Sequence, residues 1–164
     1  MTQNELITYL CTRTRIAIIG GYLRDSVLGY IPKDIDIITE KPIIFEESSR
    51  NRFNGSRLEL SDGFSADIWC VNNHKVAGVN LIDFDDIYSH LLLNVWACVY
   101  YPQNGRFVAA GLYDAITRNE IDLMYETPIS RELVRKASGK IKVLADRYGF
   151  RLSERLAELI KEDE

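Results

Sequence analysis

The chain has 164 residues, 46% hydrophobic and 27% charged, a balance that supports a folded core and excludes global disorder. Its net charge of −4 excludes a protein that coats nucleic acid through bulk positive charge, though not a local basic patch. The length suits one domain, or one domain with a small helical extension.

In chain order, QNELITYLC (3–11) predicts a short amphipathic helix, and RIAIIG (15–20) a compact buried strand ending at Gly20 and Gly21. GYLRDSVLG predicts one or two helical turns closed by Gly29. YIPK is a turn, and the alternation in DIDIIT (34–39) predicts a half-buried strand. Pro42 ends that element, and IIFEESSRNR (43–52) suits a helix. SRLEL and SADIWCV, separated by SDGF, predict a β-hairpin with Asp62–Gly63 at its turn. DFDDIYSHL predicts a short helix. In LLLNVWACVYY (91–101) the strand and helix patterns coincide. PQNGR predicts a turn at Asn104–Gly105, RFVAA the return from it, LYDAIT a helical turn and NEIDLM a short strand.

From Ser130 the period changes. Leu133, Ala137, Ile141 and Leu144 recur at helical spacing with Ser130 as cap, and SERLAELIKEDE predicts a second amphipathic helix capped by Ser153. The expected architecture is α+β. A mixed sheet of about five strands flanked by helices fills 1–127, and a helical neck-like extension fills 128–164. Cys11, Cys70 and Cys98 lie in apolar contexts without a CxxC pair and read as reduced core residues of a cytoplasmic protein. The N-terminal MTQNELITYLCTRTR lacks a signal-peptide pattern, and no segment approaches the roughly 18 apolar residues of a membrane span.

The stretch IGGYLRDSVLGYIPKDIDI (19–37) carries the chemistry. Asp34 and Asp36 alternate on a strand, so both carboxylates face one side, about 7 Å apart along the chain, while Ile35 and Ile37 face the core. Paired carboxylates repel unless a cation sits between them, and Mg²⁺ prefers carboxylate oxygens and shares its shell with substrate phosphates. Gly20 and Gly21, between a strand and a helix, let the backbone approach a phosphate, with the first helical N–H groups aimed at it. Arg24 adds a charge-assisted contact or pairs with Asp25 or Asp34, and Lys33 is a phosphate contact or a solvated turn lysine. Two-metal phosphoryl transfer needs a third carboxylate. Asp67, mid-strand between Ala66 and Ile68, is the choice. Glu59 suits a solvated strand face and Asp62 the turn. Neither a GxGxxG nor a GxxxxGK[ST] motif is present.

GGYLRDSVLGYIPKDIDI resembles the head-domain signature of the tRNA CCA-adding enzyme and bacterial poly(A) polymerase family, a branch of the nucleotidyltransferase superfamily. That signature is GG-x-x-RD, a short spacer ending in glycine, then D-x-D. FNGSRLELSDGFSADIWCV is similar to the later hairpin of such heads and puts Asp67 at the third carboxylate. LLLNVWACVYYPQNGRF is similar to the segment following the family's RRDFTIN motif, with Asn94 at its Asn. KIKVLADRYGF resembles the neck helix pattern, with Lys140 at its first Arg and Val143 at its second. No counterpart of the EDxxR nucleotide-selecting motif occurs in 130–150.

The resemblance implies a head that transfers NMP from an NTP to a hydroxyl, such as a tRNA-like 3′ end, with release of pyrophosphate. It implies two Mg²⁺ ions on Asp34, Asp36 and Asp67, and nucleotide contacts from Gly20, Gly21, Arg24, Lys33 and Asn94. Two alternatives stand beside it: a head that binds nucleotide or a partner without turnover, and a transferase acting on a protein or small-molecule hydroxyl. The basic cluster Arg131, Arg135, Lys136, Lys140 and Lys142 is either a solvated helix face or a landing strip for an RNA backbone. His74 and His90 read as packing or surface residues, Trp69 and Trp96 as core. Tyr22 and Tyr30 suit packing or, alternatively, base stacking.

Overall fold

The computed structural model describes residues 1–46, 48–76, 79–80 and 83–161. The chain forms two compact units, Met1–His90 with Cys98–Val108, and Leu91–Ala97 with Ala109–Glu164.

The first unit opens with α1 (Gln3–Cys11), whose start is fixed by a capping box between Thr2 and Glu5. Strand β1 (Ile16–Ile19), with all four residues buried, leads into α2 (Gly21–Leu28) and then β2 (Asp34–Thr39). Next come β3 (Ser49–Arg50), β4 (Ser56–Glu59) and β5 (Ser65–Cys70), followed by the short pair β6 (Lys75–Val76) and β7 (Val79–Asn80). A 3₁₀ segment, Phe84–His90, stands where a short helix is expected. Strands β8 (Val99–Tyr101) and β9 (Arg106–Val108) complete the unit.

Seven of these strands make one sheet in the order β3-β4-β5-β2-β1-β8-β9. It is antiparallel except for the central pair β2 and β5, which run parallel. The sheet has more strands than the five expected because its edge strands are two and three residues long, too short to show a period. Ile35, Ile37 and Ile38 are fully buried on β2. Each such side chain contributes about 1.5–3 kcal/mol of hydrophobic stabilisation.

The helix expected over 43–52 is absent from the described residues of that stretch; Glu47 lies outside them. Asn51 explains the difference. Its Oδ1 accepts from the N–H groups of Phe53 and Gly55, and its Nδ2 donates to the carbonyls of Ser56 and Ile68. These bonds curl the chain into an edge hairpin instead of a helix. A Cβ on Gly55 would lie 2.0 Å from the Ile68 carbonyl oxygen, so only glycine fits there. The hairpin of β4 and β5 forms as expected around Gly63, and Asp62 Oδ2 also accepts from the N–H of Gln3 at the start of α1.

In the second unit, the apolar run 91–97 forms neither strand nor α-helix. It contains a 3₁₀ turn, Asn94–Trp96, and an isolated bridge from Leu93 to Leu123. Helix α3 (Ala110–Arg118) leads to β10 (Glu120–Ile121), which pairs in parallel with β11 (Arg151–Leu152). Between them runs α4 (Pro128–Tyr148), and α5 (Glu154–Lys161) follows. Thr127, not Ser130, caps α4. With Pro128 at the first helical position, Ser130 falls on the third and returns the capping bond to the Thr127 N–H. The buried stripe of α4 is Ser130, Val134, Ile141, Leu144 and Ala145, partly offset from the one expected. Ser153 Oγ accepts from the N–H of Leu156 at the start of α5, as expected. Among the described residues no helix is long and apolar enough to cross a membrane.

Candidate functional site

The site is built on β2 and β5. Side chains alternate along a strand, so Asp34 and Asp36 share the face opposite Ile35 and Ile37. The register pairs Asp34 with Ser65 and Asp36 with Asp67. Register partners on neighbouring strands point to the same side, so all three carboxylates lie on one face of the sheet. Asp34 is exposed at the strand end; Asp36 and Asp67 are half-buried.

The glycine turn closes on this face. Gly20 caps α2 with φ +68° and ψ −130°, a conformation that L side chains rarely adopt. A Cβ placed there would lie 3.9 Å from Asp36 Oδ2, so the turn backbone runs directly beside the carboxylate. The Gly20 N–H donates to the Cys98 carbonyl, which ties the turn to the neighbourhood of β8. A Cβ on Gly21 would lie 3.4 Å from Arg24 Nη2, so the Arg24 side chain passes close over this glycine. Arg24 is buried and donates through Nε to Asp25 Oδ1 at 2.9 Å, the pairing considered as an alternative to a phosphate contact. Lys33 is exposed immediately before Asp34.

Asp67 has two different oxygens. Oδ2 accepts from Arg57 Nη1 at 2.6 Å, and Arg57 is its register partner on β4. Oδ1 is buried and has no hydrogen-bond partner. A buried acceptor without a donor is uncommon and needs a physical reason. Arg57 escapes a motif search because it lies outside the quoted signatures. The hairpin signal could have found it: Arg57 and Asp67 lie equally far from Asp62 at the turn, so they face each other across the pair. Glu59 is 78% exposed in its side chain, in accord with a solvated strand face.

Asn94 belongs to the second unit and is 2% exposed. Its Nδ2 donates to the Glu120 carbonyl, and its Oδ1 accepts from the N–H groups of Val95 and Asp122. The amide therefore ties the 3₁₀ turn to the backbone of residues 120–122. On α4, Arg131 pairs with Glu126, Lys136 Nζ lies 2.6 Å from Glu132, and Lys140 Nζ stands 5.4 Å from the centre of the Trp96 ring. Trp69 is core, while Trp96 is only half-buried. His74 is buried and accepts from Trp69 Nε1 at 3.0 Å; burial lowers its pKa to about 4, so it is neutral near pH 7. His90 is on the surface beside Asp86.

Among the described residues no three His, Cys, Asp or Glu side chains come together as a group able to hold a metal ion. The donor chemistry of the sheet face fits a divalent cation all the same. It is composed of carboxylates on adjacent strands, and the orphaned Asp67 Oδ1 is an acceptor that such a cation would satisfy. Asp34, Asp36 and Asp67 are the residues that would have to draw together to hold it.

No family model matches the sequence, and no curated protein matches it. Solved structures do. A CCA-adding enzyme in complex with ATP superposes with a TM-score of 0.70 at 17% identity, over 98% of this chain and 43% of that one. The Thermotoga maritima CCA-adding enzyme complexed with tRNA gives 0.67 at 17% identity, over 99% of this chain and 42% of that one. A tRNA nucleotidyltransferase complexed with a primer tRNA and an incoming ATP analog gives 0.63 at 16% identity, over 97% of this chain and 48% of that one. The chain thus spans less than half the length of these structures. Over nearly its whole length it has the nucleotidyltransferase fold of the CCA-adding enzymes, as the glycine pair and the D-x-D strand imply.

Proposed function

We propose that the protein is a metal-dependent nucleotidyltransferase that moves NMP from an NTP to a hydroxyl, with an RNA 3′ end as the favoured acceptor. The observation that carries this reading is the alignment of Asp36 with Asp67, with the Gly20 backbone against Asp36. An acidic face beside a glycine turn supports a site for cations and phosphates.

In this reading the acceptor oxygen attacks the α-phosphorus, the bond to the β-phosphate oxygen breaks, and pyrophosphate leaves. Bound Mg²⁺ would supply charge neutralisation on the triphosphate and a lower pKa at the acceptor hydroxyl. Asp34, Asp36 and Asp67 would hold two such ions. Asp67 would also help remove the hydroxyl proton. The Gly20–Gly21 backbone and the N-terminus of α2 receive the β- and γ-phosphates, with Arg24 and Lys33 adding positive charge. Arg131, Arg135, Lys136 and Lys140 meet the acceptor backbone. The chemistry thus falls to 1–127 and acceptor binding to 128–164.

The test is incubation with Mg²⁺, labelled NTPs and a pool of RNA. The expected result is label on RNA 3′ ends that vanishes in the Asp34→Ala/Asp36→Ala variant; transfer that survives that variant removes these residues from the chemistry. A head that binds nucleotide without turnover is the second reading, favoured by the Arg57–Asp67 ion pair. Tight Mg·NTP binding with no pyrophosphate release over many acceptors would select it.

A further inference from the structure

We infer that Arg57 is a resident counter-ion on the third carboxylate that competes with a divalent cation for it, so that Arg57 sets how tightly the acidic face binds that cation. The inference rests on the reading above.

Asp36 and Asp67 are in-register neighbours on parallel strands, about 4.8 Å apart at the backbone. Two carboxylates so placed repel. The fold relieves this from within. Arg57 stands opposite Asp67 on the other side of β5 and donates to Oδ2 at 2.6 Å. The relief is partial, because Oδ1 is left buried without a donor. One oxygen is therefore held by a side chain while the other awaits a positive partner.

The geometry also lets Arg57 give way. Its Nη2 donates to Ser65 Oγ at 2.9 Å, and its Nε lies 3.6 Å from Glu59 Oε1. Its side chain is 40% exposed, against 17% for Asp67. Released from Asp67, the guanidinium keeps Ser65, Glu59 and water as partners, so it is not left buried and unpaired. An incoming cation meets a carboxylate that is already partly neutralised and binds it less tightly than it would an unpaired one. Removing the guanidinium charge should strengthen the site.

The test is a titration with Mn²⁺ followed by electron paramagnetic resonance of the free ion. It uses the full chain and four variants, each checked for folding by circular dichroism: Arg57→Gln, Arg57→Met, Arg57→Lys and Asp34→Asn/Asp36→Asn. Arg57→Gln and Arg57→Met should each bind Mn²⁺ about tenfold more tightly, on the scale of one lost charge interaction. Arg57→Lys, which keeps the charge, should stay near wild type. The methionine variant keeps the aliphatic stem and decides the matter should the glutamine variant fold poorly. Unchanged or weaker binding in both neutral variants, with binding still lost in Asp34→Asn/Asp36→Asn, overturns the counter-ion role and leaves the metal site standing. Binding that persists in Asp34→Asn/Asp36→Asn, or no binding by any form, overturns the metal site and the inference with it.

Discussion

Asp36 on β2 and Asp67 on β5 face each other as register partners in the parallel pair at the centre of the sheet. A sheet built only for stability would not set two acids side by side there, since like charges directly opposite are destabilising. The Asp36→Asn substitution should therefore leave stability unchanged or raise it slightly, by up to about 0.5 kcal/mol, while lowering nucleotidyl transfer at least about 100-fold. Urea unfolding and labelled-NTP transfer on the same preparation read the two effects. A loss of stability equal to that of a core substitution would show that Asp36 serves the fold.

Gly20 is held at φ +68° and ψ −130° by the closure of the turn between β1 and α2. Its absent Cβ would sit at an ordinary distance from Asp36, so any cost of substitution comes from the backbone. Gly20→Ala should destabilise by about 1–3 kcal/mol. Gly21→Ala, at a position without positive φ, meets only the flexible end of Arg24 and should cost less. Denaturant midpoints of the two variants give the comparison.

His74 makes the first unit sensitive to acid. Burial lowers its folded pKa from 6.5 to about 4. Between those values the unfolded chain binds a proton that the folded chain does not, so stability falls as pH drops from 6.5 towards 4. The slope from this group reaches about 1.4 kcal/mol per pH unit and is absent above pH 6.5. His74→Gln, which keeps an acceptor for Trp69 Nε1, should be less sensitive over that window. Unfolding curves at several pH values measure the difference; identical profiles for both proteins would remove His74 as the cause.

Asn94→Ala would orphan the Glu120 carbonyl and the N–H groups of Val95 and Asp122 in a buried setting. At about 1–3 kcal/mol for a buried group left unpaired, the second unit should lose several kcal/mol at most and at least about 1. Hydrogen exchange at Val95 and Asp122 should rise in the variant more than exchange in β1.

The central strands and the site face were legible because short-range rules determine them. Alternation in DIDIIT sends Asp34 and Asp36 to one side, and Asp62–Gly63 fixes the hairpin that carries Asp67. The parallel register that brings Asp67 level with Asp36 was not legible, because it joins segments that local pattern does not connect. The stretch 43–52 misled for a related reason. Its composition suits a helix, but the Asn51 amide satisfies backbone groups across a turn and binds the carbonyl of Ile68 on β5. The run 91–101 is apolar but for Asn94 and its tyrosines, yet it divides between two compact units, and no period in the sequence marks that division. Arg57 is not legible from local pattern, because a single arginine in a short strand looks like an exposed charge until its partner across the hairpin is identified.

Calorimetric titration of Mg·ATP into the wild-type protein and into Asp34→Asn/Asp36→Asn addresses the acidic face most directly. The account predicts saturable, Mg²⁺-dependent binding by the wild type and its loss in the double variant. Equal binding by the two proteins, or wild-type binding unaffected by chelating the metal, would contradict it.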